Sequence, residues 1–141
     1  VLNLKTEGIE QQCIDLMAEY GITNWFFIDI SILYFVKYAI KAAQQEAGFG
    51  PNNLAIRFSQ YEPIEYAMKF AHMAGWVFVD HFTTVPFSNA EYDQLKKAGF
   101  KFCIISPELQ QHSIDLIQPL KLLLRDKQID AVCTKYPELW K

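Results

Sequence analysis

Short apolar runs alternate along this chain with longer segments in which apolar positions recur at helical spacing. The runs are VLNLK (1–5), NWFFIDIS (24–31), NLAIRFS (53–59), GWVFVD (75–80), KFCIIS (101–106) and DAVCT (130–134). Between them lie IEQQCIDLMAEYG (9–21), ILYFVKYAIKAAQQEAG (32–48), PIEYAMKFAHMAG (63–75), SNAEYDQLKKAG (88–99) and HSIDLIQPLKLLLRDK (112–127). The pattern predicts six strands and five helices in alternation. Nearly continuous apolar strands joined by helical crossovers indicate an α/β fold whose parallel sheet is covered by helices.

Punctuation residues agree with these boundaries. Gly21, Gly48, Gly75 and Gly99 each follow a helical run, where a left-handed cap residue is wanted. Ser88 and Glu91 have capping-box spacing. Pro63 falls near the first turn of its helix, where its missing N–H costs least. Pro119 lies inside the last helical run and is expected to kink it.

Six parallel strands fit either an open doubly wound sheet or part of an eight-stranded (β/α) barrel. Polar residues within the strands favour the partial barrel. Alternation assigns Asn3, Lys5, Asp29, Arg57, Ser59 and Asp80 to one face. Leu2, Leu4, Phe26, Ile28, Ile30, Leu54, Ile56, Phe58, Phe78 and Phe82 are assigned to the other. With consecutive strands as neighbours, Lys5, Asp29, Arg57 and Asp80 form a row of alternating sign. One reading is an interior ion network that fixes strand register. The other makes Lys5 and Arg57 ligands for a phosphate, with the carboxylates orienting them or holding a divalent cation.

Composition narrows the field. At 141 residues the chain has the size of one domain, spanning 1–141. A formal charge of -3 without a Lys/Arg cluster argues against polymeric nucleic acid as a partner. Cys13, Cys103 and Cys133 are odd in number and set among apolar residues, as reduced core thiols are. A reducing, cytoplasmic location is therefore expected. The greasiest stretch, residues 25–40, contains Asp29 and Lys37, which argues against a transmembrane segment of ~20 apolar residues.

Beyond the strand ends lie Glu62, His81, Glu108, Lys135 and Tyr136, in the loops where barrel chemistry collects. Glu62 and Glu108 also suit a helix N-terminus, by compensating its dipole. No Gly-rich phosphate loop, GxSxG elbow or HExxH pair occurs in the sequence. An open-sheet receiver-like or nucleotide-binding domain, with Asp29 or Asp80 as its strand-end carboxylate, is disfavoured. No second acid adjoins Asp29, and no phosphate loop follows the first strand.

In order, LNLKTEG, FFIDIS, IRFSQYEP, VFVDHF, ISPEL and AVCTKYPELW resemble the C-terminal three-quarters of the glycerophosphodiester phosphodiesterase-like barrels, within the phosphatidylinositol-specific phospholipase C superfamily. LNLK is similar to the family's Glu-Ile-Lys strand end, and CTKYP to its Thr-Asp-Tyr-Pro. The resemblance implies a TIM-type barrel that cleaves phosphodiesters by acid/base catalysis in lipid or phosphosugar metabolism, usually with a divalent metal such as Mg or Ca. It also implies that two strands, carrying a His-Arg pair, an acidic metal pair and a second histidine, precede Val1. Lys5 matches the family lysine. Asn3 replaces the metal-binding glutamate, and Lys135 replaces an acid.

The expectation is thus an incomplete barrel, inactive as it stands, with Lys5, Arg57, Asp29, Asp80 and Glu62 around a small phosphate-containing ligand. A non-catalytic anion-binding or assembly module from the same family is the alternative. Either would self-associate to cover exposed barrel edges.

Overall fold

The structure, a computed structural model, describes residues 1–45 and 48–141. It is α/β, with six strands and five helices among the described residues. In chain order these are β1 (Leu2–Asn3), α1 (Glu10–Glu19), β2 (Phe27–Ile28), α2 (Ile32–Ala43), β3 (Ala55–Phe58), α3 (Ile64–Met68), β4 (Trp76–Val79), α4 (Asn89–Lys97), β5 (Lys101–Ile105), α5 (Ile117–Leu123) and β6 (Ala131–Cys133).

All strand pairings are parallel and follow chain order. β1 pairs with β2 through Leu2–Phe27 and Asn3–Ile28, and β3, β4, β5 and β6 form a second ladder. A single bridge, Phe27–Leu54, joins the two. A doubly wound sheet reverses its strand order at a switch point, whereas consecutive parallel order is that of a barrel wall.

The two faces of this wall differ. Phe27, Ile56, Phe58, Val77, Val79, Phe102 and Ile104 point outward into the main core, with Ile14 of α1, Phe35 and Ala39 of α2, Ala67 of α3, Leu95 of α4 and Leu120 of α5. The opposite face forms a second cluster of Phe26, Ile28, Ala55, Trp76, Phe78, Cys103 and Ile105. None of the five helices contributes to that cluster, yet every member is at most 7 % exposed. A flat sheet covered on one side leaves its other face in water, so this burial requires the strands to curl inward. The Phe26 ring stacks on Trp76 at 4.3 Å, bringing β2 and β4 together across the small Ala55 of β3. Among the described residues β1 and β6 are not paired with each other.

Several local expectations change. Phe26, Ile28 and Phe78 lie on the inner face, not the helix-covered one. Phe78 shares its parity with Asp80, and Phe82 lies beyond the end of β4. The end of the 32–48 helical run at residues 46–47 is outside the described residues, and α3 covers only the start of the 63–75 run. Gly75 is not a left-handed cap. A Cβ there would lie 2.9 Å from the Asn52 Cα, so the residue is small because two backbones meet. Pro119 falls in the first turn of α5, after a short 3-10 turn at Ile114–Leu116, where its absent N–H needs no partner. The capping box forms as expected: the Glu91 N–H donates to Ser88 Oγ at 3.3 Å, and the Ser88 N–H to Glu91 Oε2 at 2.7 Å. No helix among the described residues is long and apolar enough to cross a membrane.

Candidate functional site

The polar residues of the inner face collect at the carboxyl ends of the strands. Below them the strands are sealed by the aromatic cluster, and above them the chain turns into loops. Past the Phe27–Leu54 bridge, β2 and β3 are no longer paired, and a cavity of about 220 Å³ opens along this seam. Asp29 and Ile30 line one side, Ala55, Ile56 and Arg57 the other, and Glu62 and Tyr66 its rim.

Asp29 reaches this cavity by an unusual backbone. Continued alternation from Phe27 would point it outward with the helix-covered side chains. Instead Asp29 has φ 57°, a left-handed conformation that Asp tolerates better than most residues. One carboxylate oxygen accepts a hydrogen bond from Arg57 Nη2, and the other accepts from Asn3 Nδ2 at 2.9 Å. Burial pulls the Arg57 pKa down, but the bond to Asp29 and the charges of Asp29, Glu62 and Asp80 more than offset this and raise it. A guanidinium offers five N–H donors, and the Asp29 bond engages only Nη2. Among the described residues Arg57 has no other hydrogen-bond partner, and its side chain is 37 % exposed.

Asp80, at the end of β4, is buried and accepts from the Gln110 side-chain amide. Burial raises its pKa. Arg57 pulls it back, Asp29 and Glu62 push it up, the Gln110 bond lowers it, and the net direction is upward. Glu62 accepts from the Ser59 hydroxyl at 2.6 Å, which fixes it at the end of β3.

Lys5 stands apart. It is exposed and forms no ion pair among the described residues. The β1 residue that contacts Asp29 is Asn3, so the alternating row begins at Asp29. Lys5 instead lines a neighbouring depression of about 290 Å³ that shares Asp29 and Ile30 with the first. The structure thus clusters Asp29, Arg57, Glu62 and Asp80, with Lys5 at the edge.

Other loop residues have different tasks. Glu108 accepts from the hydroxyls of Ser106 and Thr134 and from the Lys135 backbone N–H. Burial would raise its pKa, but these bonds outweigh it and lower it. Glu108 therefore clamps the β6 exit onto the β5 exit, and Lys135 contributes through its backbone. His81 turns its Nε2 to the Ile105 carbonyl at 2.6 Å and lines a different cavity.

The donor set does not suit the divalent metal of the resembling family. Both oxygens of Asp29 already accept from N–H donors, and Asn3 presents its NH₂ to Asp29. Among the described residues no three His, Cys, Asp or Glu side chains converge as a metal site. The arrangement suits a different task, holding an oxyanion against a pre-oriented guanidinium.

Sequence reasoning missed two partners. Gln110 holds Asp80 from a 3-10 turn at Pro107–Gln110. Asn3 was read as a lost metal ligand, whereas it orients Asp29. In comparisons with protein-family models, curated proteins and solved structures, nothing matches this chain.

Proposed function

We propose that the chain is a phosphodiesterase-like barrel segment that binds a small phosphate-containing ligand at Arg57 and does not hydrolyse it unaided. The kinship rests on the ordered motifs from LNLK to CTKYP. The binding rests on one observation, a guanidinium anchored to Asp29 through Nη2, with no other hydrogen-bond partner among the described residues, at the mouth of a cavity. Charge-assisted, bidentate contact with a phosphate is the recognition such a group performs best. Lys5, across the shared Asp29 wall, adds a second positive charge. Against unaided hydrolysis, His81 is bound to Ile105 and faces another cavity, and both Asp29 oxygens are engaged.

The same reading includes self-association. β1 and β6 each pair on one side only among the described residues, and unpaired strand edges invite a second copy. Sedimentation would show dimers or larger species at micromolar concentration; a compact monomer would contradict this part. Free Cys13, Cys103 and Cys133 favour a reducing compartment such as the cytoplasm.

Titration with glycerol 3-phosphate, followed by amide resonances, tests the binding. Saturable shifts at Asp29, Ile30 and Arg57 that disappear in Arg57→Gln are expected. Lys5→Gln weakens binding by about threefold, as one exposed charge of ~0.5–1 kcal/mol does. An aryl phosphodiester with Mg or Ca gives no turnover. Shifts that persist in Arg57→Gln would overturn the assignment, and turnover lost in Lys5→Ala would restore an enzyme.

A further inference from the structure

The helix α2 has two apolar faces. Phe35, Tyr38, Ala39 and Ala42 are buried in the main core, which accounts for one of them. The opposite face carries Leu33, Val36, Ile40 and Ala43, all exposed. Leu33 is 75 % exposed, Ile40 60 % and Val36 38 %, and Ile32 beside them is 49 % exposed. A helix that packs on a core with one face and meets water with the other carries charged and polar residues on the outside. Here the outside is aliphatic.

The spacing of the stripe is specific. Leu33, Val36, Ile40 and Ala43 follow one another at intervals of three, four and three residues, which is the seam by which one helix packs along another. The charges of α2 stay off this seam. Lys37 Nζ lies 5.4 Å from the centre of the Tyr38 ring and 5.6 Å from that of Tyr34, and Lys41 Nζ donates to the Gln11 side chain of α1. Two copies of the stripe can therefore meet without bringing like charges into the contact.

We propose that the outer face of α2 is a dimer interface, packed on the same face of a second copy about a two-fold axis. Such a contact is isologous, and a seam of this kind supplies its own matching surface. The four large side chains leave roughly 400 Å² of apolar surface in water, about half of the ~800 Å² that each partner buries in a stable interface. That is the share of an apolar interface core, and exposed Lys37 and Gln44 stand beside it as a polar rim. A lipid surface fits less well. A helix that lies in a membrane interface is rich in Lys and Arg along its polar face, whereas the opposite face of α2 is buried and apolar, and the chain carries a net charge of -3. This contact is separate from the edges of β1 and β6, and it does not depend on whether Arg57 binds phosphate.

The test is sedimentation of the whole chain and two variants, with and without vesicles of phosphatidylcholine and phosphatidylglycerol. The native chain is expected to dimerise and to stay off the vesicles. Ile40→Lys, at an exposed position, raises the dimer dissociation constant by about thirtyfold or more while circular dichroism shows the helices intact. Val36→Cys, treated with a short bismaleimide, gives a covalent dimer joined through position 36 by peptide mapping. Dimers undiminished in Ile40→Lys would overturn the proposal and leave the strand edges as the route of association. A monomeric native chain would overturn it as well. So would vesicle binding that Ile40→Lys abolishes, which would assign the stripe to lipid.

Discussion

Phe26 stacks on Trp76 with ring centroids 4.3 Å apart and an interplanar angle of 20°, although β3 runs between their strands. Ala55 is the β3 residue in register with Trp76 and is 5 % exposed. Its small side chain lets the two aromatic rings meet over it. Ala55→Leu would wedge them apart and cost about 1–3 kcal/mol by overpacking. Urea denaturation followed by tryptophan fluorescence measures this. An unchanged midpoint would mean that the inner face has room to spare.

Asp80 gives the rim a pH dependence. Its folded-state pKa is raised, chiefly by burial, with Asp29 and Glu62 adding to the rise and Arg57 and Gln110 opposing it. A group whose folded pKa is raised contributes stability below its unfolded pKa and loses that contribution as pH rises through the folded one. Ionised Asp80 is therefore a cost at neutral pH. Asp80→Asn is expected to melt above the native chain at pH 7, with the difference closing in acid. Sulfate, which keeps its charge over this range, should bind more tightly to Asp80→Asn at pH 7. A variant that melts lower at pH 7 would contradict the assignment.

Asp130 has the opposite sign. It accepts from Lys96 Nζ at 2.9 Å and from the Phe102 N–H at 2.8 Å, tying α4 and β5 to the start of β6. Burial would raise its pKa, but the Lys96 and Phe102 bonds outweigh this and lower it. Its contribution is present above the unfolded carboxylate pKa and is lost as pH falls through the folded value. Asp130→Asn should cost about 1–2 kcal/mol at pH 7, and the gap should narrow below about pH 4. A gap independent of pH would contradict this.

Cys103 is fully buried on the inner face, where burial and the neighbouring Cys133 push its pKa up to about 12. A thiolate-selective reagent at pH 8 should leave Cys103 unmodified in the folded protein and modify all three cysteines in denaturant. Peptide mapping after labelling distinguishes the outcomes. Fast modification of native Cys103 would show that the interior is open to water.

The order of strands and helices was legible in the sequence because most strand cores are short, nearly continuous apolar runs separated by segments of helical period. That same continuity hid which way the side chains face. In NWFFIDIS the four positions 25–28 are all apolar, so alternation cannot tell Phe26 from Phe27, and the structure sends the first inward and the second outward. Asp29 enters the rim only because its backbone turns left-handed at φ 57°, a reversal invisible to a two-residue period. Arg57 and Asp80 sit on regular strands or their ends and keep the alternation there, Arg57 with Ala55 and Asp80 with Phe78, a residue the sequence pattern had assigned to the opposite face. Gln110 was missed because its contact with Asp80 arises from a 3-10 turn with no local sequence signal.

Proton–proton cross-relaxation between the side chains of Phe26 and Trp76 tests the curled wall most directly. The account predicts strong cross-peaks between the Phe26 ring and the Trp76 indole, with Phe78 and Ile105 resonances protected from solvent. Absence of those cross-peaks, with both rings exposed to a soluble paramagnetic probe, would describe a flat sheet and contradict the common rim on which Arg57, Asp29 and Asp80 depend.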